Sequence, residues 1–355
     1  DRAFPSRKPP RIHKDSAEND VYPIQSVIAM SVPLIPLGID ISKAEFHVAL
    51  LKSAKRSKYE HFSNDADGFE QLGQWLEQQG VGPIHACLEA TSIYGHALAL
   101  DLHQQGHQVS IVNPLRVKGY SKSQLSRTKS DRADAKLIAQ FCRDLQPASW
   151  QPSATEVNQL QGYTRRLDAL EHMLTEEKNR LQVTPQDLEA DIVAHIQFLQ
   201  EQMETVKKRL REHIQAHESL QSQQRLLTSI VGVGESTAAR VLAEIGAIDH
   251  FSSARQLAAF AGLTPQEHTS GSSVQGKTRL CKIGNRRLRK ALYFPALTWW
   301  RRCPQARAFG ERLLATGKAK MQVIGALMHK LIRVIYGILK SRQPFDPDKL
   351  LPRST

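Results

Sequence analysis

The chain predicts a mixed architecture: an α/β domain at residues 34–148, a helical coiled-coil arm at 149–224 and a mostly α-helical region at 225–345. Three observations support this. Short β-rich runs alternate with helically spaced apolar residues from Leu34 onward. A long stripe of apolar residues at seven-residue periodicity fills the middle. A glycine-interrupted, strongly basic helical pattern closes the sequence.

In order, Leu34–Ile41 and Glu45–Leu51 read as strands joined by a turn at Ser42-Lys43-Ala44, with Tyr59–Phe62 as a third. Phe69, Leu72 and Leu76 give Ala66–Gln79 helical spacing, and Gly80 stops it. Ile84–Leu88 reads as a buried strand, Tyr94–Gln105 as a helix ended by Gly106, and Gln108–Val112 as a strand ended by Asn113-Pro114. A basic segment then leads to a helix at Asp131–Leu145. Three meandering strands followed by alternating helices and strands is the order of an RNase H-like domain. In the middle, Leu160, Tyr163, Leu167, Leu170 and Leu174 form one stripe, and Ile192 to Ile214 a second. Pro185 parts them, as in a helical hairpin serving as an arm or, more plainly, as bundle core. The last region is expected to hold helices at Glu235–Ile245 and Ala254–Ala261, a loop from Gly262 to about Gly276, and basic helices to Lys340.

Composition narrows the function. Of 355 residues, 48 are Lys or Arg against 35 Asp or Glu, a net charge of +13 and a pI near 9.6. Such an excess fits a polyanionic partner, most simply nucleic acid. Four cysteines without a CxxC pair argue against a zinc site or disulfide framework and for a reducing, cytoplasmic setting. No apolar run approaches a membrane span, so no membrane partner is expected. Residues 1–33, basic and proline-rich, read as a disordered tail with the natural start expected at Met30, and 346–355 read as a second tail.

Four acids stand out against this basic background: Asp40, Glu89, Asp131 and Asp134. Asp40 falls on the first strand and Glu89 at the end of the fourth, while Asp131 and Asp134 share the first turn of a helix. Singly, Asp131 reads as a charge favoured at a helix N-terminus and Glu89 as a cap. Together they are candidate ligands for a hard cation such as Mg2+ in phosphodiester chemistry.

In Gly232-Val233-Gly234 the glycines suit either a helix-hairpin-helix-like phosphate contact or an ordinary helix–helix turn. Ser270 lies in Thr269-Ser270-Gly271-Ser272-Ser273, as a nucleophile or part of a solvated linker. Residues 268–310 contain no Asp or Glu, and Lys277, Arg279, Lys282, Arg286, Arg287, Arg289 and Lys290 follow the serine. This uncompensated field favours a nucleic-acid backbone beside it. Trp299-Trp300 is better explained by packing than by base stacking.

Together, Gly38-Ile39-Asp40, Glu89-Ala90-Thr91, Asn113-Pro114, Lys129-Ser130-Asp131-Arg132-Ala133-Asp134-Ala135, Phe260-Ala261-Gly262-Leu263-Thr264-Pro265 with Ser270-Gly271, and Lys282-Ile283-Gly284-Asn285-Arg286-Arg287-Leu288-Arg289 resemble the DEDD transposases of the IS110 insertion-sequence family, the bridge-RNA-guided serine recombinases. The resemblance spans about residues 35–345. It implies a RuvC-like domain whose acid tetrad is Asp40, Glu89, Asp131 and Asp134, and a C-terminal transposase domain whose nucleophile is Ser270. It also implies Mg2+, donor and target DNA, a structured guide (bridge) RNA, and a homo-oligomer of two to four copies with tetrad and serine drawn from different copies. The alternative is a Holliday-junction-type nuclease in which metal-activated water replaces the serine.

Overall fold

A computed structural model of the chain describes residues 34–53, 56–90, 93–124, 130–270 and 274–350, with the backbone alone for 93, 267–270, 274–278 and 350. The predicted tail at 1–33, the end of the tail at 346–355, and Thr91, Lys129 and Gly271 of the motifs lie outside the described residues. The chain divides into two compact units, 1–151 and 152–355.

In the first unit β1 (Ile35–Ile41), β2 (Glu45–Leu51) and β3 (Ser57–Ser63) form an antiparallel meander. Then come α1 (Ala66–Gln78), β4 (Ile84–Glu89), α2 (His96–Gln104), β5 (Gln108–Val112), α3 (Pro114–Ser123) and α4 (Asp131–Leu145). The strand order is β3-β2-β1-β4-β5, with β4 parallel to both β1 and β5. This mixed sheet flanked by helices resembles the RNase H-like fold that the element order predicts.

Alternation along the strands sorts the two faces. Leu37, Ile39, Ala86 and Leu88 join the core with Leu72 and Leu76 of α1 and Leu98 and Leu102 of α2. Gly38 and Asp40 point the other way, toward α4, which packs across β1 and β2. A side chain at Gly38 would run into the Ala135 carbonyl oxygen and the Ala139 backbone of α4. Only a bare backbone permits this approach, which seats the helix on the strand bearing Asp40. Gly38→Val is therefore expected to destabilise the unit by about 1–3 kcal/mol or more, because main chain rather than a movable side chain is in the way. Gly119→Ala on α3, where the added carbon meets open space, leaves stability level or higher. Urea melts of the two variants against the parent check both outcomes.

The helix α3 falls where the sequence suggested only a basic segment. Asn113 is its N-cap, accepting from the Leu115 amide at 2.8 Å, and Pro114 holds the first helical position.

The second unit begins with a helical hairpin of α5 (Thr155–Leu181) and α6 (Glu189–Ala216), followed by α7 (Glu218–Thr228), α8 (Glu235–Ile245) and α9 (Ala254–Phe260). Leu160, Leu167 and Leu170 of the expected stripe are buried, as are Leu199, Val206, Leu210 and Ile214, and all seven belong to one core with the C-terminal helices. Toward the far end of the hairpin Val183, Leu188 and Phe198 are exposed.

The expected loop after Gly262 is instead a β-hairpin of β6 (Pro265–Ser270) and β7 (Val274–Leu280). Its strands have no alternating apolar face, so their pairing left no periodic signal in the sequence. The chain continues through α10 (Arg286–Arg302), α11 (Pro304–Ala315) and α12 (Lys320–Ser341). By length and composition α12 resembles a membrane span. Here Val323, Leu327, Leu331 and Ile335 are fully buried in the unit's core. Trp299 is buried in the same core, as packing predicted.

Candidate active site

Asp40 and Glu89 end up side by side for a simple reason of register. Ile39 pairs with Leu88 across the parallel β1–β4 ladder, so the next position on each strand is a carboxylate. Adjacent strands lie about 4.8 Å apart. Both acids share the face of Gly38 and Cys87, the side on which α4 lies. The Ser130 hydroxyl caps α4 by accepting from the Ala133 amide at 3.3 Å, and this places Asp131 and Asp134 in its first turn.

The electrostatics record the convergence. Burial, then Asp134 and Asp131, push the Asp40 carboxyl above its ordinary value, with His47 and the Ile41 amide pulling weakly the other way. Burial, then Asp40 and Asp134, push Glu89 up as well. After burial, Asp40 is thus raised by the two acids of α4 and Glu89 by Asp40 and Asp134, a like-charge neighbourhood. Among the described residues no group of three or more His, Cys, Asp or Glu side chains is placed to hold a metal ion. A small hard cation does not require such a group, since Mg2+ is held by one or two carboxylates with water and substrate phosphate completing its shell. Carboxylate oxygens are the ligand type that such a cation takes.

The sequence reading missed His47. It faces Asp40 across the β1–β2 ladder, with Nδ1 2.7 Å from the Tyr59 hydroxyl and Nε2 3.5 Å from Glu45 and 3.6 Å from Asp131. The Arg132 guanidinium covers the Tyr59 ring at 5.2 Å. The two-residue step from Glu45 to His47, on a strand beside the one bearing Asp40, was the available signal.

In the second unit Ser270 is the last residue of β6 and pairs with Val274 at the closing end of the hairpin. Two of the sequence motifs clasp each other at the opposite end. The Cys281 amide donates to the Thr264 carbonyl at 2.9 Å, Lys282 to Gly262 at 3.2 Å and Asn285 to Phe260 at 2.6 Å. Gly262, at φ +66°, and Gly284, at φ +142°, occupy backbone conformations that suit glycine. The Asn285 side chain caps α10 through the Leu288 amide at 2.9 Å and donates to Glu244 at 2.7 Å.

The predicted nucleic-acid residues separate into groups. Lys282, Arg286, Arg289 and Lys290 line one groove of about 720 Å³, together with Tyr293 and Phe294. Phe294 is 73% exposed and stands four residues from Lys290 on the same helix, a geometry suited to stacking beside a phosphate. Arg289 is partly committed within the protein, donating to the Ala261 carbonyl at 2.9 Å. Arg287 turns to Asp168 at 3.5 Å, beside Arg240 and Glu171. Arg279 lies in a different cleft, and for Lys277 only the backbone is described.

Gly232, at φ +94°, turns the chain between α7 and α8, but a side chain there would meet Pro295 and Thr298 of α10 at 3.0 Å. The close approach it permits is thus to a helix of the same unit. A side chain at Gly234 would meet open space, and no side chain caps α8 there.

Comparison with known proteins gives these features a context. Residues 37–184 match the DEDD transposase family named for IS110, and residues 224–311 match the family described as Transposase IS116/IS110/IS902 family. The pilin gene-inverting protein of Moraxella bovis is 30% identical over 313 residues, 87% of this chain and 97% of that protein. A probable family 20 transposase of Pseudomonas aeruginosa is 25% identical, covering 88% and 98% of the two chains. The transposase for insertion sequence element IS1328 of Yersinia enterocolitica is 26% identical, covering 72% and 81%. Fold, acids and relatives together define a class, the DNA transposases, enzymes that cut and rejoin DNA. Within that class the chain belongs to the IS116/IS110/IS902 transposase family.

Proposed function

We propose that the protein is an RNA-guided DNA recombinase of a mobile insertion sequence, acting through a phosphoserine intermediate with Mg2+. The observation that carries the reading is the register that sets Asp40 and Glu89 side by side on β1 and β4, both raised by burial and then by neighbouring acids that include Asp134, in a transposase whose second unit carries Ser270 at the end of strand β6 of a hairpin. Asp40, Glu89, Asp131 and Asp134 would hold the metal. Bound there, Mg2+ supplies Lewis-acid withdrawal of charge from a phosphodiester.

The Ser270 hydroxyl attacks phosphorus and forms the Oγ–P bond. The bond from phosphorus to one deoxyribose oxygen breaks, and that oxygen leaves as a hydroxyl carrying the proton. Energy stored in the phosphoserine ester lets a second strand's hydroxyl reverse the step on a new partner, with no outside energy source. His47, fixed between Tyr59 and Asp131, positions the helix end bearing that acid. Lys282, Arg286 and Lys290 bind backbone phosphates, and Phe294 stacks on a base. The relative that inverts a pilin gene, a rearrangement that needs strands cut and rejoined, supports recombination over simple nicking. Guidance by a structured RNA and assembly from two to four copies rest on the family resemblance and on the +13 net charge.

Two measurements test this. Denaturing gels of protein mixed with labelled DNA are expected to show a covalent adduct, with the labelled peptide containing Ser270. RNA copurifying with the protein is expected to be one discrete structured species, and bulk cellular RNA of no defined sequence would overturn the guidance.

A further inference from the structure

The second unit has a cleft that neither the acids nor the α10 groove uses. Two cavities, of about 280 and 600 Å³, share Ala326 and His329 and therefore run together along α12. One end is lined by Arg279 and Leu280 of β7 and by Lys318, the other by Lys330 and Arg333. Among the described lining residues there is no Asp or Glu.

The cations are held in place without being neutralised. The Lys330 ammonium sits 4.6 Å from the centre of the Phe309 ring, and the Arg312 guanidinium 5.4 Å from it. Among the described residues none of Arg279, Arg312, Lys318, Lys330 or Arg333 forms an ion pair, whereas Lys340, further along α12, pairs with Asp249 at 2.5 Å. Burial, then Arg312, holds the Lys330 amine below the ordinary lysine value. A half-buried lysine crowded by two arginines, with no carboxylate near, is a site that an external anion completes.

The dimensions favour a chain of anions over a single one. From Gln322 to Arg333 the helix rises about 16 Å. On each strand phosphates recur about every 3.4 Å of duplex axis, so a cleft of this length aligned with that axis spans about five of them. The cleft also touches the serine hairpin. Leu280, in its wall, lies six residues along β7 from Val274, the partner of Ser270, a distance of about 20 Å.

We propose that this cleft is the track for the DNA strand being cut, gripping its phosphates from about 20 Å beyond the attacked one onward. The assignment to DNA, and to the cut strand, rests on Ser270 as nucleophile. Lys318, Lys330 and Arg333 are then strand-binding residues distinct from the basic face of α10.

The test uses the full chain, a fluorescein-labelled DNA duplex and an RNA hairpin of equal length. The variant K318Q/R333Q changes two exposed residues at opposite ends of the cleft. Each lost phosphate contact lowers the slope of log affinity against log salt by about 0.9, so the slope for DNA is expected to fall by about 1.8. DNA affinity should drop at least about tenfold near physiological salt while RNA affinity holds. Lys330→Gln, whose folding is checked by a thermal melt, should lower the slope by about one further contact. The control K207Q/K349Q, at exposed ion-paired lysines, should change neither.

An unchanged DNA slope in folded protein overturns the track, as does an equal loss for RNA. Adduct formation by Ser270 is read separately. An adduct with an unchanged slope defeats only the track, and a lowered slope with no adduct defeats the serine reading on which the cut-strand assignment stands.

Discussion

Ser270→Ala is expected to eliminate the covalent protein–DNA adduct and to reduce strand joining by at least about 10³-fold, since removing a nucleophile leaves only binding and electrostatic assistance. The variant should fold normally, because the hairpin is held at its base by backbone hydrogen bonds around Thr264, Cys281 and Asn285, far along the strands from Ser270. DNA affinity should also persist, since the positive residues in the α10 groove are untouched. The informative comparison is cleavage against joining. If Ser270→Ala still cuts DNA at the parental rate, metal-activated water is the nucleophile and the protein is a junction-type nuclease. Quantifying nicked, joined and protein-bound DNA on one denaturing gel distinguishes these outcomes.

Asp40→Asn is expected to do two opposite things: to lower DNA cleavage by at least about 10²-fold and to raise the melting temperature at neutral pH. The second effect follows from the raised Asp40 carboxyl. Its ordinary value is 3.8, and the folded value lies higher because burial and the neighbouring acids disfavour the charge. Below 3.8 the group is protonated in both states and costs nothing. As pH rises from there through the folded value, the unfolded chain ionises more easily, and the native state loses stability. Asparagine never ionises, so the variant is spared that loss. The stability difference should be full at pH 7 and vanish in acid. Millimolar Mg2+ should raise the melting temperature of the parent and do so far less for the variant, a readout independent of turnover. Thermal melts at both pH values, with and without Mg2+, check this. A variant that melts lower than the parent at pH 7 would show that Asp40 is held by favourable contacts and not strained by its neighbours.

Much of the first unit was legible because its signals are local. Leu37, Ile39 and Leu88 alternate with the residues that face α4, and this fixes the strands, their faces and the neighbouring positions of Asp40 and Glu89. The seven-residue repeat from Leu160 onward likewise gave the α5–α6 hairpin. The failures have physical causes too. Asn113-Pro114 both ends a strand and starts a helix, and a reading that stopped at the first role lost α3. The β6–β7 pairing joins polar residues across a short turn, where hydrogen bonding leaves no periodic trace. The spacing of Glu45 and His47 is local, but the contact of His47 with Asp131 depends on register and helix placement. Arg287 and Arg289 looked equivalent to Arg286 in sequence, yet one pairs with Asp168 and the other with the Ala261 carbonyl, partners that lie far away along the chain.

The clasp at the root of the serine hairpin has a bearing on how such an enzyme can diverge. Peptide groups of Phe260, Gly262 and Thr264 do the gripping, and every amino acid but proline brings the same amide and carbonyl. Most surrounding side chains can thus be rewritten while the backbone path into the hairpin stays the same. The brittle points are Gly284, where any larger residue would collide with the opposing main chain, and Gly262, whose positive φ and crowding by the Arg289 guanidinium resist one.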